Sequence, residues 1–468
     1  MVKAFDLIVI GAGAAGSSVA SGAVEQEFSV ALIEEWKVGG TCLNTGCDPT
    51  KTLVRSAEVA HLARTSGRFG IDIPDVRVDW PAIQRRVNTV IDTIRGGDGD
   101  QNLRDLGITL IKEHGRFIDA DCVVAGDETL TADRFLIATG AKNRIAKIEG
   151  LAEVGYVTNN NLLDLEQLPR SIVIIGGGIV GVEFAQVLVR LGLEVTLVGS
   201  KCNILPREDP MLSAALLKVL RSEGVRWEPS ARITRAERRN GCKVVIGERA
   251  DGERVEIEAE QILLATGRAP NTDRLGLEEA GIATSGRGIV VDATMRSTNP
   301  QVYAVGDVTG IYPFTHVADY QARIAEHNLL VDGPPIKSDY RVVPWVTFCD
   351  PELARVGLTE DESRAGAYDV VTATVPFADL PRAMTMDERS GMVRLVVDRQ
   401  DRKILGGHVL GAGAGELIGE IAIVMEQGLP VDAIATTIHP YPTMSEAVFW
   451  AAYQMVNDVL SEPTAANT

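Results

Sequence analysis

The chain has 468 residues, 45% hydrophobic and 24% charged, which is room for about three ordinary domains. A formal net charge of −18 argues against nucleic acid or an anionic membrane as partner, and no run of about 18 apolar residues offers a membrane span. Six cysteines in so long a chain do not make a disulfide scaffold, and Met1 leads directly into a strand pattern without a signal peptide, so a cytoplasmic location is expected.

Phe5 to Ile10 is a continuous apolar run suited to a buried parallel strand. It enters Gly11-Ala12-Gly13-Ala14-Ala15-Gly16 and then a small-residue helix to about Ala23, followed by a second strand, Ser29 to Ile33, that ends at Glu34. Glycines let a backbone approach a pyrophosphate, the helix N-terminus attracts it, and an acid after the second strand binds ribose hydroxyls. A lone G-x-G-x-x-G is weak evidence; strand, helix, strand and acid together form a dinucleotide site.

Next comes Gly39-Gly-Thr-Cys-Leu-Asn-Thr-Gly-Cys-Asp-Pro-Thr-Lys51, the most distinctive stretch of the chain. Cys42 and Cys47 lie five positions apart, with Asn44 and Gly46 available to turn the backbone between them. Asp48-Pro49 reads as an N-cap followed by proline at the first helical position, and helical spacing continues from Thr50 to Arg64. Cys47 then sits at a helix N-terminus, which favours a thiolate. A structural disulfide or a zinc half-site is the alternative, but no second ligand pair lies nearby. A redox-active dithiol is expected.

Further on, Phe135 to Gly140 is a strand ending in Ala-Thr-Gly. The strand–glycine–helix pattern then recurs: Ser171 to Ile175, the turn Gly176-Gly-Gly178-Ile-Val-Gly181, a helix to about Leu191, and the strand Glu194 to Val198. Two fingerprints imply two dinucleotides, a flavin and a nicotinamide. Gly199 stands where the ribose-binding acid would follow, with Ser200 and Lys201 next, which leans to NADPH over NADH because Lys201 can meet a 2′-phosphate. A second Ala-Thr-Gly closes Ile262 to Gly267, and Val302 to Val308 presents Asp307 at a strand end, before a helix from about His316 to Leu330. From about Tyr340, strands such as Val393 to Val397 and Leu405 to Leu410 alternate with amphipathic helices, an α+β unit without a nucleotide motif.

These motifs resemble the FAD-dependent pyridine nucleotide–disulfide oxidoreductases, among them mercuric reductase and dihydrolipoamide dehydrogenase, from Asp6 to about Gln454. The resemblance implies an α/β chain of two doubly wound dinucleotide-binding domains, for FAD and NAD(P), plus a C-terminal α+β dimerisation domain. The expected division is 1–149 for FAD with the dithiol, 150–275 for NAD(P), 276–340 returning to the FAD and central region, and 341–468 for the interface. Gly11, Gly13, Gly16, Glu34, Gly40, Thr41, Lys51, Thr139, Gly140, Asp307, Thr315 and His316 would hold FAD. Gly176, Gly178, Gly181, Ser200, Lys201 and Gly267 would hold NAD(P). Lys51 would pair with Glu183 near the reactive edge of the flavin, Cys47 would face the flavin, and Cys42 would exchange with the acceptor. No resident metal site is implied.

Two departures from the family pattern stand out. In Ile438-His439-Pro440-Tyr441-Pro442-Thr443-Met444-Ser445-Glu446, Tyr441 occupies the position of the family's acid–base histidine and His439 comes two residues early. Tyrosine, with an ordinary pKa near 10, is a poor proton shuttle at neutral pH. This weakens dihydrolipoamide or glutathione chemistry and moves the resemblance toward mercuric reductases, whose C-terminal cysteine pair has no counterpart after Cys349. Cys122, Cys202, Cys242 and Cys349 read as small apolar fillers. The second departure is Asp48, an acid beside Cys47 that would raise the thiol's pKa unless it turns away to cap the helix, and capping is expected. The resemblance implies a homodimer in which each active site takes the Tyr441–Glu446 segment from the partner chain, passing electrons from NADPH, or NADH, through FAD and the Cys42–Cys47 disulfide to a small-molecule disulfide, a thiol-reactive compound or a metal ion. Dihydrolipoamide dehydrogenase, and a quinone or oxygen reductase acting at the flavin, are the alternatives.

Overall fold

The computed structural model describes residues 2–461. The first sheet has seven strands, built on Val2–Ile10, whose inner half is fully buried between Val30–Ile33 and Glu128–Ile137. All three run parallel, and Thr109–Ile111 extends the parallel part at the outer edge of Val30–Ile33. Continuous apolar sequence is what such a doubly covered strand needs: Leu7 and Val9 pack with Val19 and Ala322 of two helices, Ile8 and Ile10 with Phe117, Val123 and Leu275. Val302–Ala304 returns from far along the chain and pairs with Phe135–Ile137 in the same sheet. The 276–340 segment thereby joins the sheet built by the first 137 residues. Gly115–Asp119 and Cys122–Ala125 add an antiparallel margin.

A second sheet of four parallel strands takes the order Arg226–Glu228, Glu194–Val198, Ser171–Ile175, Gln261–Leu264. A three-stranded antiparallel sheet, Ala231–Arg239, Cys242–Arg249 and Arg254–Ala259, lies between its last two strands in sequence. Between the two nucleotide units the chain crosses twice, through Ala141–Asn143 and Arg268–Pro270, and these crossings pair antiparallel with each other. The C-terminal unit is a five-stranded antiparallel sheet from Pro344–Thr347 to Ile404–Gly411, covered by the helices Ala414–Glu426 and Glu446–Gln454. Phe377, Val393, Leu395, Val409, Ile421 and Ala447 close its core. Among the described residues no helix is long and apolar enough to cross a membrane.

Several local expectations shift. The strands Glu128–Ile137 and Gln261–Leu264 stop before their Ala-Thr-Gly tripeptides. Each tripeptide instead lies against a glycine turn. Gly11 and Gly176 have positive φ, 105° and 129°, and a Cβ on either would run into the carbonyl oxygen of Ala138 or Ala265. Asp307 is likewise not at a strand end: the strand stops at Ala304 and Asp307 belongs to the 3-10 turn Gly306–Thr309.

Candidate active site around a buried-edge dithiol

The two cysteines sit in adjacent helices. Gly40–Thr45 is a single short helix entered through Gly39 in the left-handed region, and the chain breaks at Gly46 before Cys47 opens the helix Cys47–Arg64. The N-cap is therefore Gly46, not Asp48. Asp48 makes no capping hydrogen bond and lies in the first turn, because the break at Gly46 starts the helix two residues earlier than the Asp-Pro signal suggests. Burial raises its pKa, opposed by Lys51.

The turn between the cysteines is held from three sides. Asn44 donates to the Val38 and Gly40 carbonyls at 3.0 and 2.8 Å and accepts from Arg95 at 2.9 Å. Across the domain boundary, Asn159 donates to the Thr45 carbonyl at 3.0 Å, and the Thr45 hydroxyl donates to Asn160 at 3.1 Å.

All six cysteines are free thiols, and of the other four only Cys349 is a buried filler; Cys202 is exposed. Cys42 and Cys47 titrate in opposite directions. The Cys42 thiol's hydrogen bond lowers the pKa of Cys47 to about 6, with help from Thr315 and Lys51 and against burial and Asp48. Cys42 is pushed up by the same contact with Cys47 and by burial. Thr315, first residue of the helix Thr315–Leu330, places its hydroxyl 3.3 Å from Cys47 Sγ and 3.2 Å from Cys42 Sγ.

Lys51 lies one turn along from Cys47. Its Nζ donates to both carboxylate oxygens of Glu183, at 3.0 and 3.1 Å, and stands 4.6 Å above the Phe348 ring. Glu183 comes from the second glycine-turn helix, Ile179–Arg190, is buried, and also accepts the Phe348 N–H at 2.8 Å.

The surrounding residues fit two dinucleotides. In each motif the third glycine, Gly16 or Gly181, packs on the carbonyl of the first, and a Cβ on the second, Gly13 or Gly178, would meet nothing within 4 Å. Neither helix N-terminus has a side-chain cap, so its first N–H groups remain free for a phosphate in that open space. Glu34 accepts from the Ala12 and Trp36 N–H groups, both at 2.7 Å, which fixes its carboxylate and leaves a lone pair on each oxygen. Gly40 lies against Gly13, bringing Thr41 and the dithiol beside the first turn. Thr139 and Gly140 are fixed by Asn271, whose side chain donates to the Thr139 carbonyl at 2.9 Å and whose N–H donates to the Gly140 carbonyl at 2.9 Å. Asp307 is 3.3 Å from Arg268, and burial raises its pKa. His316 stacks on Phe314, ring centroids 5.5 Å apart, and burial lowers its pKa.

At the second turn, Ser200 and Lys201 are exposed, and the Gly267 carbonyl accepts from Arg144 at 2.9 Å. The missing acid has a packing cause. A Cβ on Gly199 would strike the Trp227 ring, so no carboxylate fits there.

The C-terminal residues stand apart from this chain's own dithiol contacts. Tyr441 is 73% exposed, Glu446 is buried and accepts the Thr443 N–H at 3.1 Å. His439 is committed: Nε2 is 2.8 Å from Glu420, Nδ1 is 2.9 Å from the Thr437 carbonyl, and the ring packs on Phe449. Sequence reasoning missed Asn159, Asn160, Phe348 and the contact of Thr315 with both sulfurs. The matching Ala-Thr-Gly tripeptides were a usable signal for the glycine-turn contacts; contacts between residues 268 and 273 positions apart carry none.

Residues 5–322 match the family described as pyridine nucleotide-disulphide oxidoreductase, and residues 343–452 match the dimerisation domain of that family. A mercuric reductase of Bacillus cereus is 38% identical over 97% of this chain and 72% of its own length. A dihydrolipoyl dehydrogenase of Chlamydia pneumoniae is 34% identical over 96% of both chains. Among solved structures, the Cu(II) complex of the HOCl-induced flavoprotein disulfide reductase RclA from Escherichia coli superposes with a TM-score of 0.85 at 32% identity, covering 94% of this chain and 98% of that one. Members of the family are FAD-dependent and use NAD(P)H. The chain is an oxidoreductase belonging to the pyridine nucleotide–disulphide oxidoreductase family, and it carries that family's dimerisation domain.

Proposed function

We infer that the enzyme takes an electron pair from NADPH, with NADH as the weaker donor, and passes it to the Cys42–Cys47 disulfide and on to a thiol-reactive or metal-ion acceptor, in the manner of a mercuric reductase. The observation that carries this reading is the asymmetric dithiol: Cys47 opens a helix and is lowered to about pKa 6, while Cys42 beside it holds its proton. Bound FAD supplies the two-electron step between nicotinamide and disulfide. Gly11, Gly13, Gly16 and Glu34 hold its adenosine diphosphate end and Asp307 its ribityl chain. Lys51, anchored by Glu183, sets a positive charge beside Cys47 and favours its thiolate. Exposed Lys201, with Gly199 closed to an acid, favours a 2′-phosphate.

The working unit is a homodimer. Tyr441 and Ile438, 96% exposed, stand out from the C-terminal unit, and the exposed Trp450 and Tyr453 lie on its last helix. We assign Tyr441 and Glu446 to the partner's active site and His439 to packing. We assign the protein to the cytoplasm, where cysteines outside the redox pair stay reduced.

Anaerobic titration with NADPH and NADH tests the route. A long-wavelength absorption band after two-electron reduction, and loss of turnover with disulfides, Hg(II) and Cu(II) in Cys42→Ser, are expected. Turnover surviving Cys42→Ser overturns the reading in favour of direct reduction of a quinone or oxygen at the flavin.

A further inference from the structure

The reduced dithiol poses a proton problem. Cys47 carries the thiolate, yet Cys42 is the sulfur expected to reach the acceptor, and it must lose its proton to act as a nucleophile. The Cys47 thiolate, hydrogen-bonded to Cys42, can take that proton, but the charge then left on Cys42 needs a donor, and the charged groups around the pair are poorly placed to supply one. Lys51 is bound to both oxygens of Glu183 and serves Cys47 as a positive charge. Asp48 raises both thiols through its charge without a hydrogen bond to either. His316 stacks on Phe314, and both nitrogens of His439 are engaged at Glu420 and Thr437.

Thr315 is the group that touches both sulfurs, at 3.2 and 3.3 Å. Its hydroxyl donates to Cys42 Sγ, and its lone pairs remain able to accept from a Cys47 thiol. Its position is secured by the helix it begins, whose first turn follows Phe314, itself stacked on Trp345 with centroids 5.8 Å apart.

We propose that the Thr315 hydroxyl holds the negative charge of the exchanging thiol, donating to Cys42 Sγ as the Cys42 proton passes along its direct hydrogen bond to the Cys47 thiolate. The Cys42 S–H bond breaks, the Cys47 S–H bond forms, the Thr315 O–H bond stays intact, and no electron changes place. Negative charge thus reaches Cys42 when an acceptor arrives. Once Cys42 has opened an acceptor disulfide, the proton on Cys47 passes to the thiolate that leaves. This assignment rests on the reading of Cys42 and Cys47 as the redox pair, and it gives Thr315 a catalytic part beyond positioning a cofactor.

The test uses flavin-loaded protein reduced with dithiothreitol, so the outcome does not depend on electrons from NADPH. Alkylation of Cys42 and Cys47 by iodoacetamide is followed by peptide mass spectrometry between about pH 6 and pH 10, where the rate reports each thiolate. Thr315→Val is expected to slow Cys42 about tenfold or more near neutral pH and to shift its profile to higher pH. Thr315→Ser, which keeps the hydroxyl, is expected to match the unmodified protein. Thr315→Ala is read in the same way should the valine variant lose flavin or unfold. A Cys42 profile unchanged in the valine or alanine variant overturns this role of Thr315, as does a serine variant as slow as valine, since only packing would then matter. Failure of the NADPH titration alone would remove the electron route and leave this result standing.

Discussion

Cys47 and its neighbours make the clearest case at the scale of single residues. Its ordinary pKa near 8.5 falls to about 6 through the Cys42 hydrogen bond, Thr315 and Lys51, so the thiolate dominates at pH 7 and is lost as pH falls through about 6. Thiolate absorbance of the reduced protein should therefore titrate near that value. Lys51→Met removes a favourable charge and moves the midpoint upward; a midpoint that stays put would show that Lys51 serves only to neutralise Glu183. Much of this pair was legible in sequence, because cysteine spacing and the following helix pattern are local. The contact with Thr315 was not, because two segments far apart in the chain must fold before the hydroxyl meets either sulfur.

Elements are joined by a buried charge cluster at the far end of the dithiol helix. Arg190 closes the second glycine-turn helix and donates to Glu223 at 2.7 and 2.8 Å and to Asp350 at 2.7 Å. Arg64, last residue of the dithiol helix, donates to the Arg190 carbonyl. Three units of the fold thus meet at one arginine, two at its guanidinium and the third at its carbonyl. Arg190→Ala leaves Glu223 buried without its partner and is expected to cost about 3 kcal/mol or more, read as a lower urea midpoint at fixed protein concentration. The strands Ser171–Ile175 and Glu194–Val198 appear where their apolar runs predict, since a buried parallel strand declares both ends by composition. The strands Ala231–Arg239 and Arg254–Ala259 are different. Their charged, solvent-facing residues, such as Arg232, Arg235 and Glu256, break the apolar signal, and only pairing with Cys242–Arg249 defines them.

For the molecule as a whole, the fold places Tyr441 on the outside of the chain that supplies it. If each site draws Cys42 from one chain and Tyr441 from the other, the two variants complement each other. Mixing subunits of an inactive Cys42→Ser variant with those of an inactive Tyr441→Ala variant then restores about a quarter of the activity, because half the dimers are mixed and each has one intact site. No recovery on mixing places both residues in the same chain's site. The sequence suggested this arrangement only through family likeness, since an exposed tyrosine does not announce what covers it.

The meeting of Gly199 with Trp227 reaches further than the absence of one acid. In most paired-strand sites a change of coenzyme is a short evolutionary walk, one substitution that adds or removes a carboxylate. Here that walk is blocked at its first step, because any side chain at 199 collides with an indole ring that also donates to the Cys202 carbonyl at 3.3 Å. An acid at 199 requires two replacements in order, a smaller residue at 227 first. The intermediate with a hollow beneath the nucleotide loop loses packing and gains nothing in return. Under the proposed NADPH reading, packing at Gly199 would then hold the coenzyme choice as firmly as the charge of Lys201.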